Sequence, residues 1–141
     1  MKTYLFILTF TLRACSMEAQ VSIDSIHIYN HFPERGFTTA GLWTELQKLK
    51  KERVGLISLS YEDSKTIEKI INESVAKKQG QTKTGGGACF GTCQIGTESI
   101  DIILLNNLVV DMTNHNDYWI KDERNKKILS DLIARIKSGN K

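Results

Sequence analysis

Two cysteines four positions apart in a glycine-rich stretch, Gly85-Gly-Gly-Ala-Cys89-Phe-Gly-Thr-Cys93-Gln-Ile-Gly96, are the residues best suited to chemistry in this chain. Four chemistries compete for them. A disulfide between Cys89 and Cys93 needs roughly 4.4–6.8 Å between Cα atoms, which a chain turning at Gly91 would supply. The bridge would close a short loop and contribute about 2 kcal/mol. A redox dithiol ordinarily has two residues between its cysteines and a helix start that lowers the thiolate pKa. Here three residues intervene and a strand is expected to follow. A metal site would join the two thiolates to His27, His31 or His115, none of them close in sequence. Phosphate cradling at Gly85-Gly-Gly lacks a following Gly-Lys-Ser/Thr. The disulfide is the expected reading, and neither a bound metal nor a cofactor is expected. The surrounding segment, 79–96, is expected to be an exposed loop. Gly85, Gly86, Gly87, Phe90, Gly91 and Thr92 are its candidate binding residues.

Other constellations say less. Ser58, Ser60 and His27 can be drawn into a triad, but no nucleophile elbow accompanies them. Glu34, Glu45 and Asp111 show no pairing that predicts acid–base work. Trp43, Trp119 and Tyr118 read as core or rim aromatics. No residue is assigned a catalytic role, and a non-catalytic protein is expected.

The chain has 141 residues, 40% apolar and 25% charged, with three cysteines and one proline. That is ordinary globular usage for one domain and excludes a largely disordered or collagen-like chain. Lys plus Arg number 19 and Asp plus Glu 16, a net +3. Such a balance is no nucleic-acid footprint, because counterion release needs clustered basic residues.

Residues 1–19 read as a sorting segment. Lys2 precedes a nine-residue, mostly apolar run, 4–12. The run is too short to span a roughly 30 Å hydrocarbon core and has the length of a signal-peptide apolar region. Leu12-Arg13-Ala14-Cys15-Ser16 then resembles a bacterial lipoprotein cleavage box, with Arg13 where that box has a small or apolar residue. The resemblance implies cleavage before Cys15, lipidation of Cys15 and a lipid anchor in a bacterial cell-envelope membrane. Cleavage after Ser16 or Ala19, giving a secreted or periplasmic protein, is the alternative. Acylating Cys15 would leave Cys89 and Cys93 as an even pair in an oxidising compartment. Removal of 1–14 takes away Lys2 and Arg13, leaving 17 basic against 16 acidic residues.

Residues 20–141 are expected to form one α+β domain, a small, mostly antiparallel sheet packed against two or three helices on one side. The alternation over 21–29 predicts a strand with a phase slip at Ser25. A loop over 30–41 leads to a helix over 42–51 with Leu42, Leu46 and Leu49 on one face. Residues 53–60 read as a short strand. Ser60 with Asp63 is a capping signal for a helix whose stripe is Ile67, Ile70, Ile71 and Val75, with Lys77 and Lys78 at its end. Strands over 99–105 and 108–113 flank Asn106-Asn107, a turn expected to use positive φ. A turn over 114–117 and a short strand over 118–120 follow. The last helix, 122–137, turns Ile128, Leu129, Leu132, Ile133 and Ile136 inward, and Gly139 stops it.

Residues 88–136 are similar to a family of small bacterial envelope proteins of unknown function with the signature Cys-Phe-Gly-x-Cys-Pro-x-Tyr. Cys89, Phe90, Gly91 and Cys93 stand at signature positions, with Thr92 at the variable one. Gln94 stands in place of proline and Gly96 in place of tyrosine. The resemblance implies an exported, uncharacterised domain and supplies no activity. Small size and the absence of catalytic residues make a non-catalytic binding or accessory module the first expectation. An immunity protein or inhibitor of a secreted toxin or enzyme, with a protein partner, is a second expectation. A thiol-based metal or redox protein is a third.

Overall fold

The computed structural model describes residues 20–80 and 87–139. The expected leader, 1–19, with Cys15, lies outside the described residues, as do Gly85 and Gly86. In chain order the elements are β1 (Ser25–Tyr29), α1 (Thr39–Lys51), β2 (Leu56–Ser58), α2 (Tyr61–Asn72), β3 (Val75–Lys78), β4 (Cys89–Ile95), β5 (Glu98–Leu104), β6 (Leu108–Asp111), β7 (Asn116–Trp119) and α3 (Glu123–Ser138). The strands form one antiparallel sheet in the order β2-β1-β4-β5-β6-β7-β3. The fold is α+β.

The sheet is covered on both faces, not on one. Ile102 and Leu104 of β5 join Val109, Cys89 and Cys93 beneath α2 (Ile67, Ile70, Ile71) and α3 (Leu129, Leu132, Ile133, Ile136). Ile103, Val110 and Phe90 point the other way, toward Leu42, Leu46 and Leu49 of α1. Neighbouring residues alternate between faces in a strand, so only two covered faces can bury Ile102, Ile103 and Leu104 together. The unbroken apolar run in β5 and β6 is the sequence trace of that sandwich.

Each helix starts at a side-chain cap. Thr38 Oγ1 accepts from the Gly41 N–H, Ser60 Oγ from Asp63, and Asp122 Oδ1 from Arg124 and Asn125. α2 and α3 lie antiparallel, tied at one end by Arg135 with Asp63 (3.0 and 3.1 Å) and at the other by Asn125 Nδ2 donating to Glu73 Oε2 (2.7 Å). Ile128 is the exception to the expected inner face of α3 and remains exposed.

Three further expectations change. α2 ends at Asn72, and Val75, Lys77 and Lys78 belong to β3, paired with β7. Glu73 caps the helix with its N–H on the Lys69 carbonyl, the Asn72 side chain bonds to both the N–H and the C=O of Val21, and the next residues pair with β7. At 106–107, Leu105 N–H donates to Leu108 C=O at 2.9 Å, so the turn is present. Neither asparagine takes a positive φ; among the described non-glycine residues Arg53 and His115 do. The third change concerns β4, a strand where a loop is expected.

Gly91 sits in β4 opposite Ile28 of β1. A Cβ built there would lie 2.4 Å from the His27 carbonyl oxygen and 2.8 Å from Ile28 Cδ1. Gly55, by contrast, has nothing within 4 Å of such an atom. Gly91→Ala is therefore expected to cost about 1–3 kcal/mol through overpacking. Gly55→Ala should be neutral or slightly stabilising. Urea unfolding of both variants checks the contrast.

Candidate binding cleft

β4 overturns the expectation built on the two cysteines. Cys89 pairs with Leu104 and Cys93 with Ile100, so both belong to one extended strand. Four residues of strand separate their Cα atoms by about 13 Å, beyond what a disulfide can bridge. Both are buried free thiols. Gly91 does not turn the chain; it admits β1. Phe90 is fully buried and meets the Phe37 ring edge-on at 5.8 Å. Phe90, Gly91 and Thr92 are thus strand residues, not binding-loop residues. Gly87, with φ +80°, is the described remnant of the expected loop.

Burial sets the thiol chemistry. It pushes Cys89 up from the ordinary 9.0 to about 11, with Lys137 pulling slightly back. It pushes Cys93 up to about 12, helped by the negative charges of Asp111, Asp24 and Glu68. The thiolate is the nucleophile and the metal ligand, so these sites oppose both roles near neutral pH.

The histidines do not join them. His27 lies between Ile26 and Ile28 and so faces α1's side of the sheet, away from the thiols. Its Nδ1 is hydrogen-bonded to Ser58 Oγ at 2.9 Å. Ser60 is committed to capping α2, so the drawn triad reduces to a cross-strand pair. His31 Nε2 bonds Glu45 Oε1 at 2.8 Å, and His115 Nδ1 bonds Gln79 Oε1 at 3.2 Å. Among the described residues no group of three or more His, Cys, Asp or Glu is placed to hold a metal ion.

What Cys93 does face is a cleft of about 110 Å³ under the α2 side of the sheet. Its apolar wall comes from Val21, Ile71, Ile100, Val109 and Tyr118, and its polar groups are Asp111, Asn114 and Asn116. Asp111 Oδ1 accepts from the N–H groups of Thr113 (3.0 Å) and Asn114 (2.8 Å), and Oδ2 from Asn114 Nδ2 (2.8 Å). That knot fixes the β6–β7 turn, in which His115 takes φ +57°. Burial also raises the Tyr118 hydroxyl, reinforced by Asp111 and Cys93, so it stays a neutral donor.

Two features escaped sequence reasoning. Glu45, given no role there, is a carboxylate 5% exposed that also receives Arg35 at 3.1 Å. Nothing in the spacing of His31, Arg35 and Glu45 announces this cluster, because the loop before α1 must fold back to make it. The cleft was equally hidden, since its walls come from elements spread from Val21 to Tyr118.

No family model, curated protein or solved structure matches this chain.

The thiol values carry a sign. Both lie above the unfolded value, so the folded state holds its proton more tightly. Their stabilising effect is complete below about pH 9 and is lost as pH climbs toward 11–12. Between pH 8 and pH 10.5, Cys93→Val is expected to lose on the order of 1–2 kcal/mol less stability than the wild type. Denaturant titrations at the two pH values measure this. An equal alkaline loss in both proteins would contradict it.

Proposed function

We propose that this chain is a non-catalytic binding module of the bacterial cell envelope, held at a membrane by an acylated Cys15. The observation that supports binding is the cleft at Cys93, with apolar walls, a thiol kept protonated and a small polar set already tied into its own turn. Such a site offers shape and apolar contact with few orienting groups, the usual composition of a ligand pocket. The anchor rests on the resemblance of 12–16 to a lipoprotein box. The kinship with the Cys-Phe-Gly-x-Cys envelope proteins rests on residues 89–93. No described helix is long and apolar enough to cross a membrane. In this reading attachment is by lipid, whose buried methylenes contribute about 0.8 kcal/mol each. The two cysteines no longer bear on the compartment, because buried free thiols do not require an oxidising one.

A second reading, neutralisation of a secreted toxin or enzyme, is favoured by an open sheet edge described below. It does not use the 79–96 segment as its presenting loop, because 89–95 is a central strand.

Two measurements test the proposal. The full chain made in a bacterial host should partition into detergent with the membranes. Cys15→Ser should shift most of it to the soluble fraction, and an unchanged distribution would remove the anchor. Millimolar benzene should shift the Cys93, Val109 and Asn114 amide resonances saturably. Ile100→Trp, which fills the cleft, should abolish those shifts; their absence in the wild type would remove the cleft as a binding site.

A further inference from the structure

We propose that β3 is a docking edge for an extended acidic peptide segment of a partner protein, which adds to the sheet as an eighth strand. The idea is independent of the Cys93 cleft.

The sheet has two edges, and they differ. β2 is three residues long and runs almost directly into the Ser60 cap of α2. β3 has four residues, Val75–Lys78, of which only Ala76 is partly covered. Its inner side is paired with β7. Gln79 N–H donates to the His115 carbonyl at 2.8 Å, which makes 79–115 a hydrogen-bonded pair. Antiparallel ladders alternate, so Lys77 and Val75 bond inward to Asp117 and Trp119. The far side of β7 agrees, because Ile120 N–H donates to Asn107 at 3.0 Å, placing the Tyr118 and Asn116 amides toward β6. The N–H and C=O groups of Ala76 and Lys78 therefore point out of the sheet, two donors and two acceptors in strand geometry. Among the described residues no strand pairs with them.

Side chains set the partner's character. Lys77 lies on the α1 face and Lys78 on the α2–α3 face, so a strand added here meets a positive charge on either side. Two consecutive acidic residues satisfy both, since neighbours alternate faces. Toward the start of β3, Val75 is 42% exposed on one face, a ready apolar contact. On the other, a recess of about 290 Å³ beside Ala76, bounded by Asn116 and Tyr118, has room for a side chain. Of the nearby acids, Glu73 is engaged by Asn125 and Lys69, and Asp117, opposite Lys77 on β7, is 3% exposed, with burial raising its pKa. Two-fold pairing with a second copy centred on Lys77 sets that lysine against itself, and pairing centred on Ala76 sets it against Val75, so neither register supplies the lysines with an opposite charge. Lysines on an open edge discourage indiscriminate strand addition. The same charges select an acidic strand, in the manner of β-augmentation.

The probe is the palindromic peptide acetyl-Thr-Val-Glu-Glu-Val-Thr-amide, compared with its Lys-Lys analogue, titrated into the ¹⁵N-labelled full chain at low salt. The glutamate peptide should bind at least about tenfold more tightly than the lysine peptide, and added salt should weaken it. Amides of Ala76 and Lys78 should gain hydrogen-exchange protection, while those of Val75 and Lys77 change little. Ala76→Pro removes one outward donor without touching the β7 ladder and should abolish binding with β7 resonances in place. The double variant Lys77→Glu, Lys78→Glu should reverse the peptide preference and keeps the test open if the proline variant unfolds. Equal binding of both peptides, shifts mapping elsewhere, or unchanged binding by Ala76→Pro would each overturn the proposal. So would a dimer in sedimentation that Ala76→Pro dissociates, since the edge would then belong to a second copy.

Discussion

The missing side chain at Gly91 is the constraint on which the architecture rests. β1 approaches β4 so closely there that a methyl group would occupy the His27 carbonyl. With β1 seated, β4 becomes an interior strand, hydrogen-bonded on both sides. Its alternation then sends Cys89 and Cys93 into the α2–α3 layer and Phe90 into the α1 layer. One seven-residue strand thus contributes to both cores, and its cysteines are held apart by the strand that carries them.

Around those two apolar layers the charged groups work as fasteners. Glu45 collects His31 and Arg35, and Arg35 also lies over the Phe37 ring at 4.7 Å. This pins the loop after β1 onto α1. Hydrogen bonds to a charged group contribute about 1.5–3 kcal/mol, and a nearly buried carboxylate left without them would be costly. Asp111 does the same for the β6–β7 turn. On α1's side, beyond the helix, Ser58, His27, Thr92 and Asp101 lie in register across four strands, with Lys50 on Asp101. This strip remains polar and open to water, as the uncovered part of an antiparallel sheet can.

The functional reading follows from the same economy. Among the described residues, burial keeps the two thiols protonated, and His27, His31 and His115 are engaged in local hydrogen bonds. What remains available is shape at the Cys93 cleft and unpaired backbone at β3. Asn116 and Tyr118 of β7 border the cleft and the recess beside β3 alike.

Local patterns were legible in the sequence wherever the physics was local. The caps at Ser60 and Asp122, the leucine face of α1, the stripe of α3 and the hairpin at Asn106–Asn107 are set by spacing within a turn or two of chain. Residues 73–78 and 89–95 differ from the local reading because distant strands decide them. Val75, Lys77 and Lys78 continue a helical pattern as readily as they alternate in a strand, and only the open edge of β7 decides between them. Gly91 between two cysteines suggests a turn until β1 is seen to need its missing side chain. The continuous apolar runs of β5 and β6 already implied two covered faces, although one was expected. The sequence by itself thus determined the helices, the central hairpin and the α+β class, because capping and periodicity act over a few residues. Tertiary structure alone decided which strand lies beside which, that the thiols stay free, and where cleft and edge are found. Those depend on backbones far apart in the chain coming within van der Waals reach, and no short window of sequence encodes that.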